Sequence, residues 1–181
     1  TNRHLAEFWM VEPEIAFMDV KQLMSLIEAF IRTVIKDVYE NCQDSINLFA
    51  ANNPEIKTRL LSVINKEFVR VSYEEGIEIL KKAVNDGYPF EDKNIFFGKD
   101  LASEHERYIC EKVYNGPVFL YNYPKEIKSF YMKQNPDGRT VAGADLLVPG
   151  VGEICGGSER EADFDKLMQR VKELNMDASS I

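Results

Sequence analysis

Two stretches of this 181-residue chain set chemically capable side chains at spacings that let them act together. The first is Arg3-His4-Leu5-Ala6-Glu7-Phe8. On an extended backbone Arg3, Leu5 and Glu7 point to one face and His4, Ala6 and Phe8 to the other. A guanidinium and an imidazole at a strand start, with an aromatic ring a few residues on, can hold a polyphosphate and stack on a flat base. Surface charge at a strand end beside a core phenylalanine explains the same six residues, and the pattern alone favours that plainer account. The second stretch runs from Asp145 to Arg160 and puts two carboxylates and an arginine among Gly150, Gly152, Gly156 and Gly157. The glycines remove side chains where a ligand can lie against the backbone. Asp145 and Glu153 are hard oxygen ligands suited to a magnesium ion that bridges phosphates. Arg160 offers a rigid fork for a carboxylate or amide oxygen. A glycine-rich hairpin with solvated charges is the alternative. Both acids flank apolar stretches rather than a charge run, which favours function here.

Other chemistries find little support. Neither GxxxxGK[ST] nor GxGxxG occurs. Cys42, Cys110 and Cys155 are far apart and form no CxxC, so a disulfide framework or cysteine zinc site is not expected. Cys155 has no histidine base near it in sequence, while Cys42 and Cys110 read as ordinary buried or half-buried residues. The two histidines, His4 and His105, nearly exclude a histidine metal centre, and His105 reads as a solvated first-turn residue. With 22 basic and 30 acidic side chains the net charge is −8, which argues against a basic nucleic-acid patch as the main business of this stretch. No apolar run approaches the ~20 residues of a membrane span, and no leader pattern opens the chain. A reducing cytoplasm and no membrane are the expectation.

The elements that must position these residues follow from periodicity. Leu5 to Glu12 reads as a strand that wants a preceding partner, which hints that the chain is a fragment. Asp19 caps a helix with apolar positions from Leu23 to Val38, Asn53-Pro54 starts a second, and Ser72 to Glu75 is a capping box opening a third that stops at Asp86-Gly87. Ser103 to Glu106 opens a fourth in the same way. After Tyr114 the period becomes two: strands are expected over 117–121, 130–133, 140–148 and 151–155, with a turn at 135–138, before a last helix from Asp163 to Leu174. No parallel strand–helix–strand alternation is read, and no domain boundary.

The stretch Arg3 to Phe17 closely resembles the second half of motif 2 of class II aminoacyl-tRNA synthetases, and is similar to the bacterial-type asparaginyl enzymes in particular. Tyr123-Pro124-Lys125-Glu126-Ile127-Lys128-Ser129-Phe130-Tyr131-Met132, Asp145 to Glu161, and Glu104 to Tyr108 look like further parts of that family's active site, in the family's order. The resemblance covers essentially the whole chain. It implies an α+β fold, the antiparallel active-site sheet of the class II catalytic domain flanked by helices. Residues 1–181 would be part of that domain, from mid motif 2 to before motif 3, with the anticodon-binding domain absent. It implies ligation of asparagine to tRNA(Asn) through an asparaginyl-adenylate, with ATP and Mg2+, by a cytoplasmic homodimer. Carried over by residue, Phe8 stacks on adenine, Glu7 lies beside its amino group, and Arg3 and His4 face the phosphates. Asp145 and Glu153 hold magnesium, and Ser158 and Arg160, with Lys128 and Tyr131 as weaker candidates, line the amino-acid pocket. The alternatives are an aspartyl-tRNA synthetase, a paralogue that forms asparagine, or a non-catalytic interaction module.

For the two acids to share an ion they must leave one face of their hairpin. An odd loop, Pro149-Gly150-Val151, or a bulge near Gly152 achieves this by setting Asp145 opposite Glu153, with the carboxyls within roughly 6 Å. The resemblance also implies that the family's two ATP-binding arginines are missing from residues 1–181. Since one preorganised charge contact is worth about 10²–10³ in rate, these 181 residues alone are expected to make no adenylate. Asparagine-dependent ATP–pyrophosphate exchange above a no-enzyme control contradicts this.

Overall fold

A strand buried along its whole length must be covered on both faces, and β3 (Gly143–Val148) is such a strand: all six residues are buried, Asp145 among them. The computed structural model describes residues 6–177, so Arg3 and His4 lie outside the described residues. β3 is held antiparallel between β2 (Val118–Tyr121) and β4 (Gly152–Ser158), and β1 (Val69–Ser72) completes a four-stranded sheet in the order β1-β2-β3-β4. β1 pairs with β2 in parallel. This corrects the reading without parallel strands: four residues ending in a capping serine are too short to show alternation.

Helices cover both faces. α1 (Val20–Asn41), α2 (Gln43–Asn52) and α3 (Glu55–Asn65) precede the sheet. Met24, Ile27 and Val63 pack with Phe119, Ala144, Leu146 and Val148 on one side. On the other side α4 (Tyr73–Asn85) and the short α5 (Ser103–Arg107), which runs into a π-helical turn over Tyr108–Val113, pack Ile77, Leu80, Ile109 and Cys110 against Val118, Leu120 and Leu147. α6 (Phe164–Glu173) closes the chain.

The caps explain most boundaries. Asp19 and Gln22 bond each other's backbone N–H groups, as do Ser72 and Glu75. Asn53 is not the cap of α3: Pro54 holds that position without a side-chain bond, and Asn53 contributes only its carbonyl, which accepts from the Ile56 N–H. At α5 the expected serine box is replaced. His105 is fully buried, not solvated; its Nδ1 accepts from the Ala102 N–H at 3.1 Å, and its Nε2 meets the Asp92 carbonyl at 2.8 Å. Beside it Glu104 accepts the N–H groups of Glu91 and Asp92, both at 2.9 Å. α5 is thereby fixed to the 91–92 loop.

Two expected strands do not form. Residues 8–15 adopt no regular structure, and Trp9 is exposed, because no described strand lies beside them to complete a ladder. Residues 130–133 contribute only the isolated bridge between Met132 and Arg160.

The β3–β4 loop is Pro149-Gly150-Val151, with Val148 opposite Gly152, so the odd loop is as expected. The bulge falls between Leu146 and Leu147, opposite Ile154, rather than at Gly152. Counted back from that loop, Asp145 would meet Cys155 rather than the expected Glu153, and the bulge moves its partner on to Gly156. At the loop tip Gly150 has φ +81°, its N–H donates to Glu111 Oε1 at 2.8 Å, and a Cβ there would lie 2.4 Å from the Arg59 guanidinium carbon. Gly150→Ala therefore forces an L-residue into the left-handed region and displaces Arg59. A loss of about 1–2 kcal/mol is expected in urea unfolding; an unchanged midpoint contradicts this.

Candidate active site

The hairpin brings its two carboxylates together by a route the sequence does not reveal. Asp145 lies between Leu120 and Gly156 in the sheet. The register from the loop puts residues 145 and 153 on one face, with Glu153 opposite Leu147; the bulge sets Gly156 rather than Cys155 opposite Asp145. At position 156, where glycine has no side chain, a Cβ would lie 3.0 Å from Asp145 Oδ1 and 3.1 Å from Glu153 Oε1. Those oxygens are therefore no more than about 6 Å apart; one magnesium holding both at ~2.1 Å would draw them to within about 4.2 Å. Any side chain at 156 would fill the shared space. No three His, Cys, Asp or Glu side chains among the described residues form a metal cage, so an ion here would rest on these two and on its other ligands.

The other oxygen of Asp145 is occupied. Lys128 Nζ donates to Asp145 Oδ2 at 2.6 Å, with the two side chains only 21% and 8% exposed. The same ammonium stands 4.0 Å from the ring centroid of Tyr123. Tyr123 is buried, and its hydroxyl lies near the Asp145 carboxylate without completing a hydrogen bond. Burial first, then the charge of Asp145, raises that phenol well above its ordinary range. Glu106, from α5, is a third acid: burial, then the charges of Glu153 and Asp145, push it up to about 7, while Lys128 pulls the other way. Burial and Asp145 raise Glu153 too. Burial likewise raises the Cys155 thiol, which disfavours its reactive thiolate form.

The second half of the site is built on Arg160, just beyond β4. Its Nη2 and Nε donate to Glu14 at 2.6 and 3.4 Å, its Nη1 donates to Ser158 Oγ at 2.9 Å, and its guanidinium carbon lies 4.6 Å from the Tyr131 ring centroid. Arg160 in turn holds the Glu14 carboxyl below its ordinary range. The pair borders a cleft of about 860 Å³ between residues 11–19 and 155–160. Ser158, Arg160 and Tyr131 are thus brought together, whereas Lys128 is drawn to Asp145. Glu7 and Phe8 are exposed and not among the cleft's lining residues. Sequence reasoning missed Glu14, Glu106 and Tyr123. Each lay inside a quoted motif, but only tertiary packing shows what it faces.

A mostly antiparallel four-stranded sheet clad by helices on both faces is the fold of class II synthetase catalytic domains. The crystal structure of asparaginyl-tRNA synthetase from Pyrococcus horikoshii complexed with asparaginyl-adenylate matches it with a TM-score of 0.81 and 37% identity, over 99% of this chain and 38% of that one. An aspartyl-tRNA synthetase from Entamoeba histolytica, 22% identical with a TM-score of 0.73, covers 100% of this chain and 36% of its own, and shares the fold. Residues 1–181 match the family of class II tRNA synthetases (D, K and N) throughout, and the chain belongs to that family. The asparagine–tRNA ligases of Ureaplasma urealyticum and Porphyromonas gingivalis are 52% and 51% identical over 182 residues, taking in 100% of this chain. The chain spans 40% and 39% of the length of those curated relatives.

The position of Glu106 has a measurable consequence. Between its ordinary 4.5 and about 7 the folded protein holds a proton that the unfolded chain has released, so stability falls as pH rises through that window. Glu106→Gln removes this loss. In chelator-treated buffer the variant should gain stability over the parent from pH 5 to pH 8, and a constant difference across that range contradicts the placement.

Proposed function

We propose that this chain is part of the catalytic domain of an enzyme that joins asparagine to tRNA(Asn), first forming asparaginyl-adenylate from asparagine and ATP. In this reading residues 1–181 run from mid motif 2 to before motif 3, and tRNA anchoring relies on an anticodon-binding domain elsewhere. The whole enzyme is a cytoplasmic homodimer. The observation that carries the choice of amino acid is the Arg160–Glu14 pair. An amide side chain presents a carbonyl oxygen to the guanidinium and an N–H to the carboxylate, satisfying both. An aspartate side chain would meet Glu14 as a like charge. The aspartyl alternative is disfavoured on that ground, and the whole-chain likeness to asparagine–tRNA ligases supports the same choice.

Adenylate formation needs the amino-acid carboxylate aligned with the α-phosphorus and the leaving pyrophosphate neutralised, without a protein nucleophile. Asp145 Oδ1 and Glu153 Oε1 fit a magnesium ion: they converge over a glycine that leaves room for it. When bound, the ion neutralises phosphate charge and serves as a template. Phe8 would stack on adenine, with Glu7 beside its amino group and Arg3 and His4 toward the phosphates. Arg160 donates to the amide oxygen of asparagine, Ser158 steadies the guanidinium, and Tyr131 supplies the ring beneath it.

In the complete enzyme Arg160→Ala should weaken asparagine use by about 1–3 kcal/mol, since it leaves a polar group unpaired, with KM for ATP little changed. Glu14→Gln should raise aspartate use relative to asparagine by about tenfold, the removed repulsion being of that order. Equal losses for asparagine and ATP in the first variant, or an unchanged ratio in the second, overturn the pocket assignment.

A further inference from the structure

Resemblance assigns Lys128 to the amino-acid pocket, but its contacts point elsewhere. Its ammonium bonds Asp145 Oδ2, while Oδ1 of the same carboxylate faces the space over Gly156 that Glu153 shares. The two oxygens are therefore divided between a lysine and the open position. The ammonium is braced from behind by the Tyr123 ring at 4.0 Å. Tyr123 is 4% exposed, and its unpartnered hydroxyl lies near the same carboxylate, an unused donor at this cluster. Charge points the same way. Glu106, Asp145 and Glu153 together carry up to three negative charges, which a divalent ion and one lysine would balance.

We infer that Lys128 is a positioning residue for the metal site: by holding Asp145 Oδ2 against the Tyr123 ring, it turns Oδ1 toward the ion shared with Glu153. This rests on the reading of Asp145 and Glu153 as magnesium ligands given above. Lys128 touches neither the ion nor the amino acid. It fixes the plane of a ligating carboxylate, a role whose loss typically costs 10–100-fold in metal affinity. The opposite possibility is that Lys128 competes with the cation for Asp145, and it predicts the opposite sign.

The test uses Mn2+ as the probe, titrated into the complete protein without nucleotide and read by electron paramagnetic resonance. Lys128→Met should bind Mn2+ at least about tenfold more weakly, and Lys128→Arg, which keeps donor and charge, should recover most of that loss. KM for asparagine at saturating metal should move far less than metal affinity. Equal or tighter Mn2+ binding by Lys128→Met overturns the inference, as does a change confined to the asparagine KM. In the unmodified protein, acylation of Lys128 by an amine-selective reagent, followed by peptide mass spectrometry, should stay level or fall on adding Mn2+. A rise means that the metal expels the lysine and also overturns the inference; this readout needs no variant to fold. Asp145→Asn and Glu153→Gln separate the two claims. If both leave Mn2+ binding intact, the metal reading itself fails and takes this inference with it. If they abolish binding while Lys128→Met does not weaken it, only the role of Lys128 is wrong.

Discussion

A carboxylate in the middle of a wholly buried strand is costly unless it is paired, and Asp145 is that carboxylate. Much of the site follows from how the fold satisfies it. Lys128 reaches it from the segment just after β2. Opposite it on β4 stands Gly156, which leaves the free oxygen open space instead of a side chain. The bulge at Ile154 is what sets that glycine there, and Glu153 reaches the same space from its place opposite Leu147. The candidate ligand site thus lies where a core strand must carry charge.

The helices on the Asp145 side set the electrostatics. α5 is too short to hold its own orientation, so His105 and Glu104 fasten it to the 91–92 loop. Glu106 then faces the hairpin acids rather than solvent, and their mutual repulsion raises its affinity for a proton. One π-helical turn further on, Glu111 accepts the Gly150 N–H and ties the hairpin tip to the same helix. Position and charge are therefore controlled by one element, from one face of the sheet.

What was legible in the sequence was the chemistry carried by local pattern. The glycines around Asp145 and Glu153 marked the hairpin, and the Pro149-Gly150-Val151 loop has the expected odd length. The bulge position was not legible, because Ile154 carries no signal that distinguishes it from its neighbours. The four residues of β1 were hidden by the capping box that follows them. His105 looked solvated because it stands between two glutamates in the sequence, whereas its own ring is enclosed by Phe90 and the 91–92 loop. The Arg160–Glu14 pair joins residues 146 positions apart, a separation no local pattern reports.

Loop and bulge bring Asp145 and Glu153 to one cation-sized space above Gly156. Anomalous diffraction from crystals of the complete protein soaked in Mn2+ tests it most directly. The account predicts a manganese peak bonded to Asp145 Oδ1 and Glu153 Oε1, with Lys128 still on Oδ2. A peak elsewhere, or Asp145 and Glu153 turned away from each other with no peak between them, would contradict it.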